Sequence, residues 1–215
     1  MRLRKQPWIE QAILDHQDLV LLDNINARQG KWQEYFPQAQ PLHLEIGTGR
    51  GSFIVGMAQK YPMYNFIGVE ANIDIIYDVI MRIRKSPTPL QNIQLIRGDA
   101  GKILEWFAPQ EIAQIYLNFS DPWPKNRHAK RRLTHVNFLN MYRQITLPEA
   151  TVKQKTDNDA LFAFTLETLT EHNFKLLAAS NDLHSSEFDN PVTTEYERRF
   201  ARQGKNINYC EFRLH

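Results

Sequence analysis

The stretch Leu42-His43-Leu44-Glu45-Ile46-Gly47-Thr48-Gly49-Arg50-Gly51-Ser52-Phe53 decides the fold. Its first five residues read as a short strand, and Phe53, Ile54, Val55 and Met57 follow on a helix. Gly47, Gly49 and Gly51 between them allow a sharp turn and bring backbone close to a ligand at the helix N-terminus. Strand, glycine turn and helix open a parallel α/β sheet.

The alternation continues outward. Asn65 to Glu70 is a second strand, and Ile73, Ile76, Tyr77, Ile80 and Ile83 recur at helical spacing until Pro87 and Pro89. Ile93 to Ile96 is a third strand, ending at Gly98-Asp99-Ala100. A short helix through Leu104 and Phe107 stops near Pro109, and Ile112 to Phe119 contains a fourth strand. A helix from about His135 to Ile145 leads to a fifth strand, Thr151 to Lys155. Leu161, Phe164, Leu166 and Leu169 fit another helix, and strands at Phe174 to Ala179 and Ile207 to Leu214 close the chain. This pattern predicts a doubly wound α/β fold, with a mostly parallel sheet covered on both faces. The last two strands lack a long helix between them and are expected to pair antiparallel at the edge. Ser185 to Thr194 is polar, contains Asn190-Pro191, and reads as a mobile loop.

Residues 1–40 read as a helical extension of a main domain, 41–215. Pro7 can open a helix through Ile9, Ile13, Leu14 and Leu21, while Arg2, Arg4 and Lys5 read as a frayed, solvated terminus. A chain of 215 residues can bury a substantial core as one domain. The net charge of +2 says little about partners, so any polyanion signal must be local. The lone Cys210 excludes an internal disulfide framework. No apolar run reaches the roughly 18 residues of a membrane helix, and the basic N-terminus lacks a signal peptide's apolar core. The expectation is a cytoplasmic protein. His128 and His135 have no matching ligand set, so no metal site is expected.

In open α/β sheets, ligands bind beyond the carboxyl ends of the strands. Glu45, Glu70, Asp99 and Asp121 all fall at or near such ends. A carboxylate closing the second strand can take both hydroxyls of a ribose. The dinucleotide fingerprint has glycines at the first, third and sixth places, but here the third glycine is fifth and Ser52 is sixth. No Gly-Lys-Ser/Thr follows, and no Tyr-x-x-x-Lys pair occurs. Glu45, two residues ahead of the first glycine, suits a methionyl ammonium better than a pyrophosphate. Among a nicotinamide dinucleotide, a nucleoside triphosphate and S-adenosyl-L-methionine, the last is favoured. Asp99 reads equally well as a helix N-cap.

A second stretch, Asn118 to Leu133, reads NFSDPWPKNRHAKRRL. Its Ser-Asp-Pro-Trp-Pro turn is related to the Asn/Asp-Pro-Pro-aromatic turn of amine methylation, with one proline fewer before the aromatic ring. Lys125, Arg127, Lys130, Arg131 and Arg132 crowd around His128 with no acid among them, which suits a phosphate grip. Trp123 can stack on a base or pack against its prolines. Arg198, Arg199, Arg202 and Lys205 form a second basic cluster, diluted at its start by Glu195 and Glu197.

Together with GVE (Gly68 to Glu70), GDA (Gly98 to Ala100), KTDN (Lys155 to Asn158) and TEYERRFARQGKNI (Thr194 to Ile207), these stretches resemble the bacterial tRNA (guanine-N7)-methyltransferases. The resemblance covers about residue 42 to the C-terminus, and DPWPKNRHAKRRL is its most specific part. It implies a class I methyltransferase, Rossmann-like, with a seven-stranded sheet whose last strand is antiparallel. It further implies methyl transfer from S-adenosyl-L-methionine to N7 of a guanine near about position 46 of the tRNA variable loop. By motif, Glu45, Glu70, Asp99 and Asp121 match cofactor-binding carboxylates, with Gly47, Gly49, Gly51, Ala100 and Asn118 beside them. Lys125, Asp157 and the segment Thr194, Glu195, Tyr196, Glu197 match substrate-binding positions, and Arg127, His128, Lys130, Arg131 and Arg132 extend the grip on tRNA. A monomer or homodimer is expected. The family often has a Gly-Gly turn before the fifth strand, where this chain reads Leu147-Pro148-Glu149-Ala150.

Guanine N7 carries a lone pair and no proton, so its methylation needs no general base. Asp121 is then expected to position the base and stabilise charge rather than to deprotonate. On the residues alone, an amine methyltransferase and a non-catalytic tRNA-binding protein stay open.

Overall fold

The computed structural model describes residues 7–215; the basic Arg2, Arg4 and Lys5 lie outside the described residues. Eight strands form one sheet in the order β1-β4-β3-β2-β5-β6-β8-β7. They are β1 (Val20–Leu21), β2 (Leu42–Ile46), β3 (Asn65–Glu70), β4 (Ile93–Arg97), β5 (Ile112–Asn118), β6 (Thr146–Thr156), β7 (Lys175–Ser180) and β8 (Asn208–Arg213). The helices are α1 (Pro7–Ala12), α2 (Ser52–Lys60), α3 (Ile73–Arg84), α4 (Ile103–Trp106), α5 (Val136–Ile145), α6 (Asp159–Glu171) and α7 (Glu195–Arg202).

The pairs from β1 through β6 are parallel, and β8 runs antiparallel between β6 and β7. The antiparallel last strand thus matches the expectation, and β7 becomes the sheet edge. Two details differ. The sheet gains an eighth strand, because Val20 and Leu21 pair with Leu95 and Ile96. Leu21 therefore leaves the expected N-terminal helix, which ends at Ala12 and continues as a 3-10 turn over Ile13–His16. The open edge of β4 is the physical reason: its N–H groups need acceptors, and Leu95 N–H donates to the Leu19 carbonyl at 2.9 Å. The second difference is that β6 begins at Thr146 rather than Thr151 and passes through Pro148. Its pairing with β5 slips between Ile112 and Gln114, so the proline sits at an irregularity where it withholds no ladder bond.

The sheet buries a core on each face. On one, Trp32, Trp106, Phe107, Leu139, Tyr142 and Phe162 pack over Leu44, Ile67 and Ile115. On the other, α2 and α3 lay Phe53, Ile54, Val55, Ile76 and Ile80 over Phe66, Leu95 and Tyr116. The N-terminal segment joins both: Trp32 is fully buried and its indole N–H donates to the Trp106 carbonyl at 2.8 Å, while Ile13 enters the second core.

Candidate functional site

Strand order reverses between β2 and β5: β3 and β4 lie to one side, β6 to the other. Beyond their carboxyl ends opens a cleft of about 320 Å³ lined by Glu45, the Gly47–Gly49 turn, Glu70, Asn118, Asp121, Trp123, Arg131 and Thr194, Glu195 and Tyr196. An adjoining cavity of about 510 Å³ shares Gly47, Glu70, Trp123 and Arg131 and reaches Asp99 and Ala100. Three of the four strand-end carboxylates therefore line the cleft and the fourth, Asp99, the adjoining cavity, as expected for a topological switch point.

The first wall is tightly anchored. Alternation along β2 sends Leu44 and Ile46 into one core and turns Glu45 toward α2. Glu45 is 2% exposed, and its Oε1 accepts from Asn118 Nδ2 at 2.9 Å, tying the two central strands across the switch. Its Oε2 is buried with no hydrogen-bond partner among the described residues. Burial pushes the Glu45 carboxyl up to about 8, opposed by the Asn118 amide and by Lys155. Glu70 accepts from Asn72 N–H at 3.0 Å and Gly49 N–H at 3.2 Å, so it braces the glycine turn. Its carboxyl is raised by burial, partly offset by those N–H groups. Gly47 (φ 79°) and Gly49 (φ 51°) adopt left-handed backbone, and a Cβ at either would point into open space. Asp99 is exposed and caps the Ala100–Lys102 turn, accepting from Gly101 N–H at 2.8 Å.

The second wall is the turn after β5. Phe119 (φ 52°) and Trp123 (φ 42°) are both left-handed, a conformation costing on the order of 1–3 kcal/mol per residue unless its surroundings enforce it. At Phe119 its N–H donation to the Lys155 carbonyl at 2.8 Å supplies that enforcement, and at Trp123 Arg132 does. It is 9% exposed, donates to the Pro122 and Trp123 carbonyls, each at 3.1 Å, and lies over the Phe164 ring at 4.3 Å. The geometry gives Arg132, expected among the tRNA contacts, the work of holding the turn. Lys125, Arg127, Lys130 and Arg131 remain exposed around a 3-10 helix over Asn126–Arg131. Arg131 lies over the Trp123 ring at 4.8 Å, and His128 meets that ring edge-on at 5.8 Å.

The third wall is the loop leading into α7, expected to be mobile but fastened here. Lys155, at the end of β6, donates to the Val192 carbonyl and to Glu197 Oε2, each at 3.2 Å, and also bonds Asn190 Oδ1. Glu197 is fully buried, accepts from Asn190 Nδ2 and Thr194 N–H, each at 2.8 Å, and completes a capping box with Thr194. Neither Glu197 nor Asp157 lines the cleft; Asp157 pairs with Lys205 at 3.0 Å. Thr194, Glu195 and Tyr196 do line it, and half-exposed Tyr196 stacks on Phe119 at 6.0 Å. Sequence reasoning gave Lys155 and Asn190 no role. The available signal was a lysine inside an otherwise buried strand, which must find a partner.

Residues 39–210 match a family model described as a putative methyltransferase. A tRNA (guanine-N(7)-)-methyltransferase of Geobacillus thermodenitrificans is 42% identical over 98% of this chain and 96% of its own length. A protein of that name from Staphylococcus haemolyticus is 40% identical, covering 100% of this chain and 99% of its own. The chain belongs to the tRNA (guanine-N7)-methyltransferase family.

Solved structures repeat the family's fold at low identity. A 16S rRNA (adenine(1408)-N(1))-methyltransferase from Catenulisporales acidiphilia, with cosubstrate SAM, aligns at TM-score 0.59 and 13% identity over 89% of this chain and 92% of that one. An antibiotic-related methyltransferase aligns at TM-score 0.62 and 17% identity over 89% and 94%. The sheet with its antiparallel C-terminal strands is therefore a Rossmann-like methyltransferase fold. Among the described residues, no helix is long and apolar enough to cross a membrane.

Proposed function

We propose that this chain transfers the methyl group of S-adenosyl-L-methionine to N7 of a guanine in tRNA, at the variable-loop position the family resemblance implies. The observation that carries the reading is a single cleft that joins a buried, half-paired carboxylate to a turn ending in exposed base: Glu45 with Asn118 on one wall, Trp123 with Arg131 on the other.

The residues fit the cofactor. The orphaned Oε2 of Glu45 is an acceptor suited to an ammonium group, and a carboxylate there is held as an anion once a cation pairs with it. Gly47 and Gly49 leave the space that side chains would fill. Glu70 is assigned to the ribose hydroxyls, and Asp99 with Ala100 to the far end of the nucleoside, with Gly51 closing the turn and Asn118 fixing Glu45. The cofactor supplies an electrophilic sulfonium methyl.

Guanine N7 needs no base, so the chain's own residues act by positioning and by field. Asp121 is assigned to the cationic purine as charge develops, beside Asn118 and Tyr196 at the cleft mouth. Lys125, Arg127, Lys130 and Arg131, with His128, are assigned to tRNA phosphates, Thr194 and Glu195 to the substrate side of the mouth. Arg132, Glu197 and Asp157 are assigned to positioning these groups. Residues 41–215 are taken as the methyltransferase domain and 1–40 as its extension.

The test is incubation with methyl-labelled S-adenosylmethionine and unmodified tRNA, followed by nucleoside analysis. Label in N7-methylguanosine is expected. Label confined to an amine-methylated base would sink the N7 assignment, and tRNA binding without cofactor binding would favour a non-catalytic protein.

A further inference from the structure

A groove of about 630 Å³ runs between α2 and α3, lined by Arg50, Ser52, Asp78, Arg82, Lys85 and Arg198. It begins at the cleft, since Arg50 and Ser52 line both. Its other end lies at Lys85, which is exposed where α3 ends. One side is closed by the loop before α7, where Gly56 lets Val192 approach so nearly that a Cβ would meet it at 2.8 Å. Four basic side chains thus meet two acids, Asp78 within the groove and Glu195 at its cleft end, whereas the chain as a whole is close to charge balance.

The cations are available to a stronger anion. Arg50 meets Asp78 at 3.5 Å with side chains 63% and 46% exposed, and the Arg82–Glu195 pair is 37% and 50% exposed. Such solvated pairs hold weakly, and phosphate is a better partner for guanidinium. Arg198 is held in place by donating to the Thr193 carbonyl at 2.9 Å.

We propose that the α2–α3 groove binds tRNA backbone phosphates on the side of the target guanine opposite the basic loop. This rests on tRNA being the substrate. A base that enters the cleft carries phosphates on both its 5′ and 3′ sides. The loop from Lys125 to Arg131 meets one flank from the β5 side, and the groove meets the other from the α2 side. Two cationic lips then hold the strand across the cleft and aim the base inward.

The test measures unmodified-tRNA affinity against salt for the full chain, its Lys85→Glu/Arg82→Ala variant, and Lys85→Arg. Each cation removed from a phosphate should lessen the log–log salt slope by about 0.7–0.9. The double variant is expected to bind tRNA at least about tenfold more weakly at low salt, with the slope shallower by about 1.5. S-adenosylmethionine affinity and kcat at saturating tRNA should be unchanged, and Lys85→Arg should behave as wild type. Wild-type affinity and slope in the double variant would overturn the proposal, as would an equal loss in Lys85→Arg. Absence of N7-methylguanosine from the wild-type product would overturn the proposed reaction, a result separate from the binding difference.

Discussion

Glu45 and Arg131 line the same cleft, yet one is 2% exposed and bonded across two strands while the other stands in solvent over Trp123. The wall proposed for the cofactor is made from strand ends, with Glu45 held by the Asn118 amide and Glu70 by backbone N–H groups. The wall proposed for tRNA is a short 3-10 turn with exposed cations, held from beneath by buried Arg132. Glu197 plays the same part for the loop before α7. Burial, more than charge or motif, separates the groups that position from the groups that touch.

Breaking the support should have the largest effect. Glu197→Ala leaves the buried Lys155 ammonium without its carboxylate, a loss of about 3–5 kcal/mol. Urea unfolding should show it as a lower midpoint with an unchanged m-value; a wild-type midpoint would mean the ion pair does not fasten the loop.

Glu45→Gln probes the wall proposed for the cofactor and should weaken S-adenosylmethionine binding by about 10–100-fold, the range for a charge-assisted hydrogen bond. It also carries a pH signature. Burial raises the Glu45 carboxyl from 4.5 to about 8, so between those values the folded state binds the proton more than the unfolded state does. That stabilising contribution is full below about 4.5 and is lost as pH rises through about 8. Unfolding midpoints across this window should fall less in Glu45→Gln than in the wild type.

Arg132→Ala and Arg131→Ala sharpen the contrast between neighbours. Arg132→Ala should cost about 2 kcal/mol of stability, because two carbonyl contacts and a ring contact are lost from a strained turn. Arg131→Ala should change stability by less than about 0.5 kcal/mol and lessen the tRNA salt slope by about one contact. The reverse ranking in thermal unfolding would refute the division of labour.

Much of the fold was legible because its signals are local. Asn65–Glu70 appears with the expected bounds, and His135 caps α5 just where the helix was expected to begin. The strand-end carboxylates were legible because topology sends every parallel strand's carboxyl end to the same side. The two-residue β1 was not, since so short a run has no periodicity. Nor was the difference between Arg131 and Arg132. Where two adjacent arginines end a 3-10 turn, nothing in the spacing tells which guanidinium turns inward; the left-handed backbone at Trp123 and the Phe164 ring on α6 decide it. The fastening of Ser185 to Thr194 was hidden for a similar reason, since its partner Lys155 lies far off in the chain.

By itself the sequence determined the alternation of strands and helices, the glycine turn, the carboxylates at strand ends and the basic run after Asp121. These follow from side-chain periodicity and local backbone preference. Only the tertiary structure decided which charges face solvent and which are consumed within the protein. Burial is set by elements that meet across the fold, and a lysine on β6 has to find a glutamate on α7 before either can leave water.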